Sequence, residues 1–146
     1  MNYAFLHEMY KMPVSLVKKI NDENDLIEII KNHFTSNYAR NFVDYSNLDL
    51  KVLGAILPIS MRTFQRELSG RNKILKYPVS ETLIEMGEIY AVGIDAFDGK
   101  KQRLNEWLCT KNTYFNNKTP LEIMNTHKGR DLVKDELYKI EYSEFS

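Results

Sequence analysis

Little in this chain of 146 residues invites a covalent or metal-based chemistry. Its single cysteine, Cys109, has no partner for an intramolecular disulfide, so the fold does not depend on an oxidising compartment. As a nucleophile Cys109 would need an activating neighbour. The three histidines, His7, His33 and His127, are scattered singly, and no pair has metal-ligand spacing. A nucleophile–base pair and a Gly-rich phosphate loop are equally missing, so no enzyme activity, cofactor or metal is expected. Net charge is zero, with 20 basic against 20 acidic side chains, and no global field points towards nucleic acid or a membrane. No apolar run approaches the roughly 18 residues of a membrane helix. The opening MNYAFLHEMYKMP lacks the basic-then-apolar order of a signal peptide. No membrane partner is expected, and the expected location is cytoplasmic.

What remains is ordinary globular composition, 43% hydrophobic and 27% charged, in a chain long enough for one compact unit or two small subdomains. The apolar spacing is helical, and the expected fold class is all-α. Residues 1–20 read as an N-terminal arm, because Met1 to Pro13 is aromatic-rich but short and Pro13 interrupts it. A helical domain with a helix-turn-helix-like plan is expected over 21–77, and a second small helical domain over 78–146. From Asp22, capped by Asn21 or Asp22, the residues Leu26, Ile29, Ile30 and Phe34 fall on one helical face. A further helix comes after Ser36, with Tyr38, Phe42 and Tyr45 along it.

The stretch 48–76 carries the first functional signal. Asp49 can cap a helix with Leu50, Leu53 and Leu57 on its apolar face and Gly54 at a close helix approach. Pro58 breaks it, Ile59 is expected in the core, and Ser60 is a good N-cap for a helix ending near Gly70. Phe64 and Leu68 would face inward. Helix, tight break and second helix with polar, basic outward residues is the helix-turn-helix plan. From Met61 to Lys76 there are five basic residues against one acid, Glu67. Arg62, Thr63, Gln65, Arg66, Arg71 and Lys73 are the candidate DNA contacts, since such a patch neutralises phosphates and Arg and Gln reach base edges. Two packed helices with a charged surface would give the same pattern without DNA. Pro58 also stands where helix-turn-helix proteins commonly carry glycine.

Beyond this the charge reverses. Pro78 makes Tyr77-Pro78 a joint, and Ser80 is expected to cap a helix to about Phe97, buried through Leu83, Ile84, Gly87, Tyr90, Ala91, Ile94 and Phe97. Between Ser80 and Asp98 lie five acids and no Lys or Arg, which read as a solvated helix face. Asp98-Gly99 closes the helix, and Leu104, Trp107 and Leu108 line a short one. After the loop Cys109–Lys118, Thr119-Pro120-Leu121-Glu122 has the form of a capping box with Pro at the first helical position. Thr126 opens a final helix with Leu132, Val133, Leu137 and Ile140 expected inward. The last residues, EYSEFS, mix acids and aromatics.

The run from Trp107 to the end resembles the C-terminal toxin-binding domain of Xre/MbcA/ParS-type antitoxins. The landmarks are Trp107-Leu108, Thr119-Pro120-Leu121, Thr126 to Gly129, and Ile140-Glu141-Tyr142. The stretch Ser60 to Arg66 also resembles the recognition-helix region of that family, so the likeness covers roughly residues 24–146. It implies an antitoxin of a type II pair, with 78–146 as the toxin-binding domain after an Xre-like helical half. The implied partner is a cognate RES-type toxin, typically an enzyme acting on NAD, whose active site is occluded. Homodimers, a toxin–antitoxin hetero-oligomer and repression of the chain's own promoter DNA are implied as well. The expected toxin contacts are Lys111, Asn112, Tyr114, Phe115, Asn117 and Lys118 in the loop, and Glu141, Tyr142, Glu144, Phe145 and Ser146 in the tail. The alternative is a helix-turn-helix transcription regulator without a toxin partner.

Overall fold

The computed structural model describes residues 2–143. Among them the fold is all-α with no sheet: α1 (Ala4–Tyr10), α2 (Val14–Val17), α3 (Glu23–Asn32), α4 (Ser36–Ser46), α5 (Leu50–Ile56), α6 (Met61–Leu68), α7 (Tyr77–Ala96), α8 (Lys101–Leu108), α9 (Pro120–Ile123) and α10 (His127–Ser143). The chain divides into two compact units, Met1–Gly87 and Glu88–Ser146. Helix α7 runs through the boundary.

The core of the first unit is built around the N-terminus, which is not the arm that its proline suggested. Phe5, Leu6, Met9 and Tyr10 of α1 are buried, as is Met12, and α1 packs chiefly on α4. Seven residues are too few to display a helical period convincingly, and Lys11 ends the helix in the left-handed region before Pro13 is reached. Tyr10 is the hub. Its ring stacks on Phe42 at 4.9 Å and meets Phe34 edge-on at 5.7 Å, and its hydroxyl donates to the Leu83 carbonyl. Gly87 makes room for it, because a Cβ there would lie 2.1 Å from the hydroxyl oxygen.

Helix α3 starts as its sequence indicates. The Asp22 side chain accepts the Asp25 N–H at 3.0 Å, and Leu26, Ile29, Ile30 and Phe34 are all buried. Asp49 and Ser60 cap α5 and α6 in the same manner. Between those helices a Cβ on Gly54 would sit 2.5 Å from the Met61 sulfur, so the glycine is required for close packing. Ile59 was expected in the core but is half-buried, as is Leu68. Leu57, held extended at the end of α5, fills the core position instead.

Helix α7 begins at Tyr77, and Ser80 does not cap it. Pro78 sits in the first turn, where its missing N–H costs nothing. The buried Ser80 hydroxyl donates back to the Lys76 carbonyl at 3.3 Å, and Thr82 does the same to Pro78 at 2.8 Å. Burial runs almost round the helix, taking in Val79, Leu83, Ile84, Met86, Ile89 and Tyr90, as expected of a helix apolar on most sides. Ala91, Ile94 and Phe97 are only half-buried. Nor is the acidic face fully solvated: Glu81, Glu85 and Glu88 are half-buried, while Asp95 and Asp98 are exposed. Glu81 accepts the Tyr77 hydroxyl at 2.6 Å, and this bond, with burial and the charges of Glu81 and Glu85, pushes the phenol up to about 12. Asp98 and Gly99, both with positive φ, then close the helix, and the Gly99 N–H returns to the Ile94 carbonyl at 2.7 Å.

Candidate functional site

The second unit is assembled to hold out one loop. Leu104 and Leu108 of α8 are buried, and a Cβ on Gly93 would press on Leu104 at 2.4 Å. Trp107, half-buried, lies 6.2 Å from Phe97 and meets Phe115 edge-on at 6.3 Å. Phe115, expected as a toxin contact, is only 6% exposed and anchors the loop. Cys109, just past α8, is exposed and free.

The loop itself is tightly closed. The Asn112 side chain accepts the Tyr114 N–H at 2.9 Å and starts a single 3-10 turn, Thr113–Phe115. The Asn112 backbone N–H donates to the Lys118 carbonyl at 3.1 Å, and its carbonyl accepts from Asn117 at 3.0 Å. Asn116 and Asn117 have φ of 57° and 63°, a region that asparagine enters more easily than other side-chain residues. Asn112, half-buried, is thus committed to loop geometry, while Lys111, Asn117 and Lys118 are exposed. Tyr114 stands outward, 50% exposed.

Two helix starts fix the remainder of the unit. Thr119 and Glu122 form the capping box: the Glu122 carboxylate accepts the Thr119 N–H at 2.6 Å, and the Thr119 hydroxyl accepts the Glu122 N–H at 3.2 Å. Thr126 caps α10 by accepting the Gly129 N–H at 2.9 Å. The Thr-x-x-Gly step has a steric reason. A Cβ on Gly129 would lie 1.6 Å from the Ile123 carbonyl oxygen, so only glycine lets α9 and α10 meet this closely. Arg130, buried, donates to the Met124 carbonyl at 2.8 Å across the same turn.

Helix α10 buries Gly129, Arg130, Val133 and Leu137. Leu132, expected inward, is 40% exposed, because it falls about 100° round the helix from Val133. Tyr138 (38%) and Tyr142 (64%) are exposed too, and stack on each other one turn apart at 6.2 Å. Lys139 joins this surface to the loop: its ammonium lies 4.6 Å over the Tyr114 ring and donates to the Tyr114 hydroxyl at 3.1 Å. Those contacts hold its pKa above the ordinary lysine value, with Glu136 and Asp135 acting in the same direction. Loop and final helix are thereby one surface. Tyr138, Leu132 and Lys139 were not singled out as contacts in the sequence, although the four-residue step from Tyr138 to Tyr142 was a visible signal. Glu141 is half-buried, and Glu144, Phe145 and Ser146 lie outside the described residues.

In the first unit Arg62, Gln65 and Arg66 are exposed on α6, and Arg71 and Lys73 are exposed after it. Thr63 is half-buried, its hydroxyl accepting from Ser60 at 2.9 Å, and Lys73 is paired with Glu67 at 2.9 Å. The end of α6 is fixed by Arg40, whose guanidinium donates to the carbonyls of Leu68 and Gly70. Among the described residues no helix is long and apolar enough to cross a membrane, and no cluster of His, Cys, Asp and Glu could hold a metal.

Residues 93–142 match the family model described as the antitoxin Xre/MbcA/ParS C-terminal toxin-binding domain. The segment that builds the outward surface is thus of a class whose work is to bind a toxin. The match spans 50 of the 146 residues, and over that segment the chain is similar to the Xre/MbcA/ParS antitoxins, as the Trp107 to Tyr142 landmarks indicated. The matched segment begins after α6, so the basic stretch lies outside it. No curated protein matches the chain.

Proposed function

We propose that the chain is an antitoxin that neutralises a RES-type, NAD-degrading toxin by occluding its active site, and that it does so through the surface shared by the 111–118 loop and the C-terminal end of α10. The observation that carries this reading is the outward set Tyr114, Tyr138 and Tyr142, all within the matched toxin-binding segment. Tyrosine is a favoured interface residue, since it offers a large rigid contact area with a polar tip. Lys111 and Asn117 form the polar rim of that surface, and Glu141 with the terminal residues Glu144, Phe145 and Ser146 forms the occluding tail. The test is co-expression with the toxin of the neighbouring reading frame, using the whole chain and a form ending at Lys139. The whole chain protects the cells and the shortened form does not. Full protection by the shortened form would remove the tail from the account.

A second role is supported by the exposure of Arg62, Gln65 and Arg66 on one helix face. In this reading α5 and α6 contact the chain's own promoter, and a homodimer, alone or within a toxin–antitoxin hetero-oligomer, represses it. Binding to the promoter fragment then falls steeply with salt, and Arg62→Ala with Arg66→Ala weakens it while leaving toxin neutralisation intact. Absence of specific binding at low salt removes this role.

A further inference from the structure

The second unit carries a groove of about 590 Å³ lined by the Tyr114 loop and the N-terminal turns of α10. Tyr114 and Leu132 supply exposed apolar surface along it, and Phe115 and Ile123 lie beneath. Its charge is one-sided. Lys118 and Lys128 line the groove, both exposed, and among the described residues neither ammonium makes an ion pair. The one acid lining it, Glu122, has its carboxylate engaged by the Thr119 N–H in the capping box. The 17-residue helix α10 also begins here, adding the positive end of its dipole.

We propose that this groove receives a segment of the toxin bearing carboxylates beside an apolar side chain. The inference rests on the antitoxin reading above and deepens it: the tyrosine surface and tail occlude, while the groove supplies a second, electrostatically selected hold. Two unpaired cations, an occupied anion and a helix N-terminus make the groove complementary to an acidic segment and repellent to a basic one. Leu132 and Tyr114 give that segment's apolar side chain somewhere to leave water. All groove residues named lie inside the matched toxin-binding segment, so the groove is continuous with the surface assigned to the toxin.

The test uses the full chain and a catalytically inactive form of the toxin encoded beside it, with dissociation constants measured at low and high salt. Lys118→Glu with Lys128→Glu weakens binding about ten-fold or more and flattens its salt dependence. Leu132→Ala, a truncation at an exposed position that opens no core cavity, weakens it by about three-fold or more. Both variants keep wild-type thermal unfolding. Binding within about two-fold of wild type by both variants overturns the groove while leaving the antitoxin reading in place. So does a loss, in the double variant, of self-association measured without toxin, which would give the groove to a second copy of the chain. Failure of the unaltered chain to bind the toxin at all overturns both readings.

Discussion

Tyr10 in the first unit and Tyr142 in the second are put to opposite uses. Tyr10 is wholly buried, stacked on Phe42 and hydrogen-bonded to Leu83, with Gly87 making space for it. Tyr142 stacks on Tyr138 and is otherwise open to solvent. One aromatic holds the fold, and the other is displayed by it. The same contrast separates α1, whose large apolar residues Phe5, Leu6, Met9 and Tyr10 all turn into a core, from α10, which buries Val133 and Leu137 but leaves Leu132, Tyr138 and Tyr142 outside. Under the proposed function, the apolar surface kept exposed in the matched segment is the surface offered to the toxin.

The sharpest break in that comparison comes from truncating its buried member. Tyr10→Ala removes a full core aromatic and should cost about 4 kcal/mol of stability, read by chemical denaturation. Next is Gly129→Ala, whose Cβ would collide with a backbone carbonyl rather than a movable side chain. It should cost about 3 kcal/mol in thermal unfolding. Thr119→Ala removes one half of the capping box and should cost about 1 kcal/mol. Tyr142→Ala should stay within about 0.5 kcal/mol of wild type while weakening the toxin complex, a separation of stability from binding that Tyr10 cannot show. A loss of stability at Tyr142 as large as that at Tyr10 would place it in the core and erase the distinction.

The smallest effect is a pH dependence. The Tyr77 phenol is raised from 10.0 to about 12 in the folded chain, first by its hydrogen bond to Glu81. A raised pKa means that the folded state holds the proton more tightly than the unfolded one. The stabilisation is therefore complete below about pH 10 and is lost as pH climbs towards 12. Glu81→Gln should flatten the fall in stability across that window, which pH-dependent denaturation would register; an unchanged slope would mean that the bond does not persist in solution.

Much of this architecture was legible in the residues. Caps are local, so Asp49, Ser60, Thr119 and Thr126 could be placed from side-chain type and spacing alone, and each makes the bond expected of it, while the choice left open between Asn21 and Asp22 falls to Asp22. Errors arose where tertiary contact overrode local pattern. Ser80 looks like a cap, but Pro78 is tolerated in a first turn, and the helix starts earlier. Helix α1 was too short for its period to speak, although Tyr10 and Gly87 are mutually fitted across more than seventy residues. Phe115 and Leu132 exchanged roles for the same reason. An aromatic in a polar loop looks like a contact until Trp107 is found against it, and a leucine on a helix looks like core until its neighbour Val133 proves to be the inward residue.

The central claim is that the two units divide the work, with toxin binding residing in the second. It is tested most directly by titrating the inactive toxin of the neighbouring reading frame into the full chain and into two paired variants. Arg62→Ala with Arg66→Ala, both exposed in the first unit, should bind with the wild-type dissociation constant. Tyr114→Ala with Tyr142→Ala, both exposed in the second, should bind about ten-fold or more weakly at unchanged stability. Weakening by the arginine pair with wild-type affinity in the tyrosine pair would contradict the account.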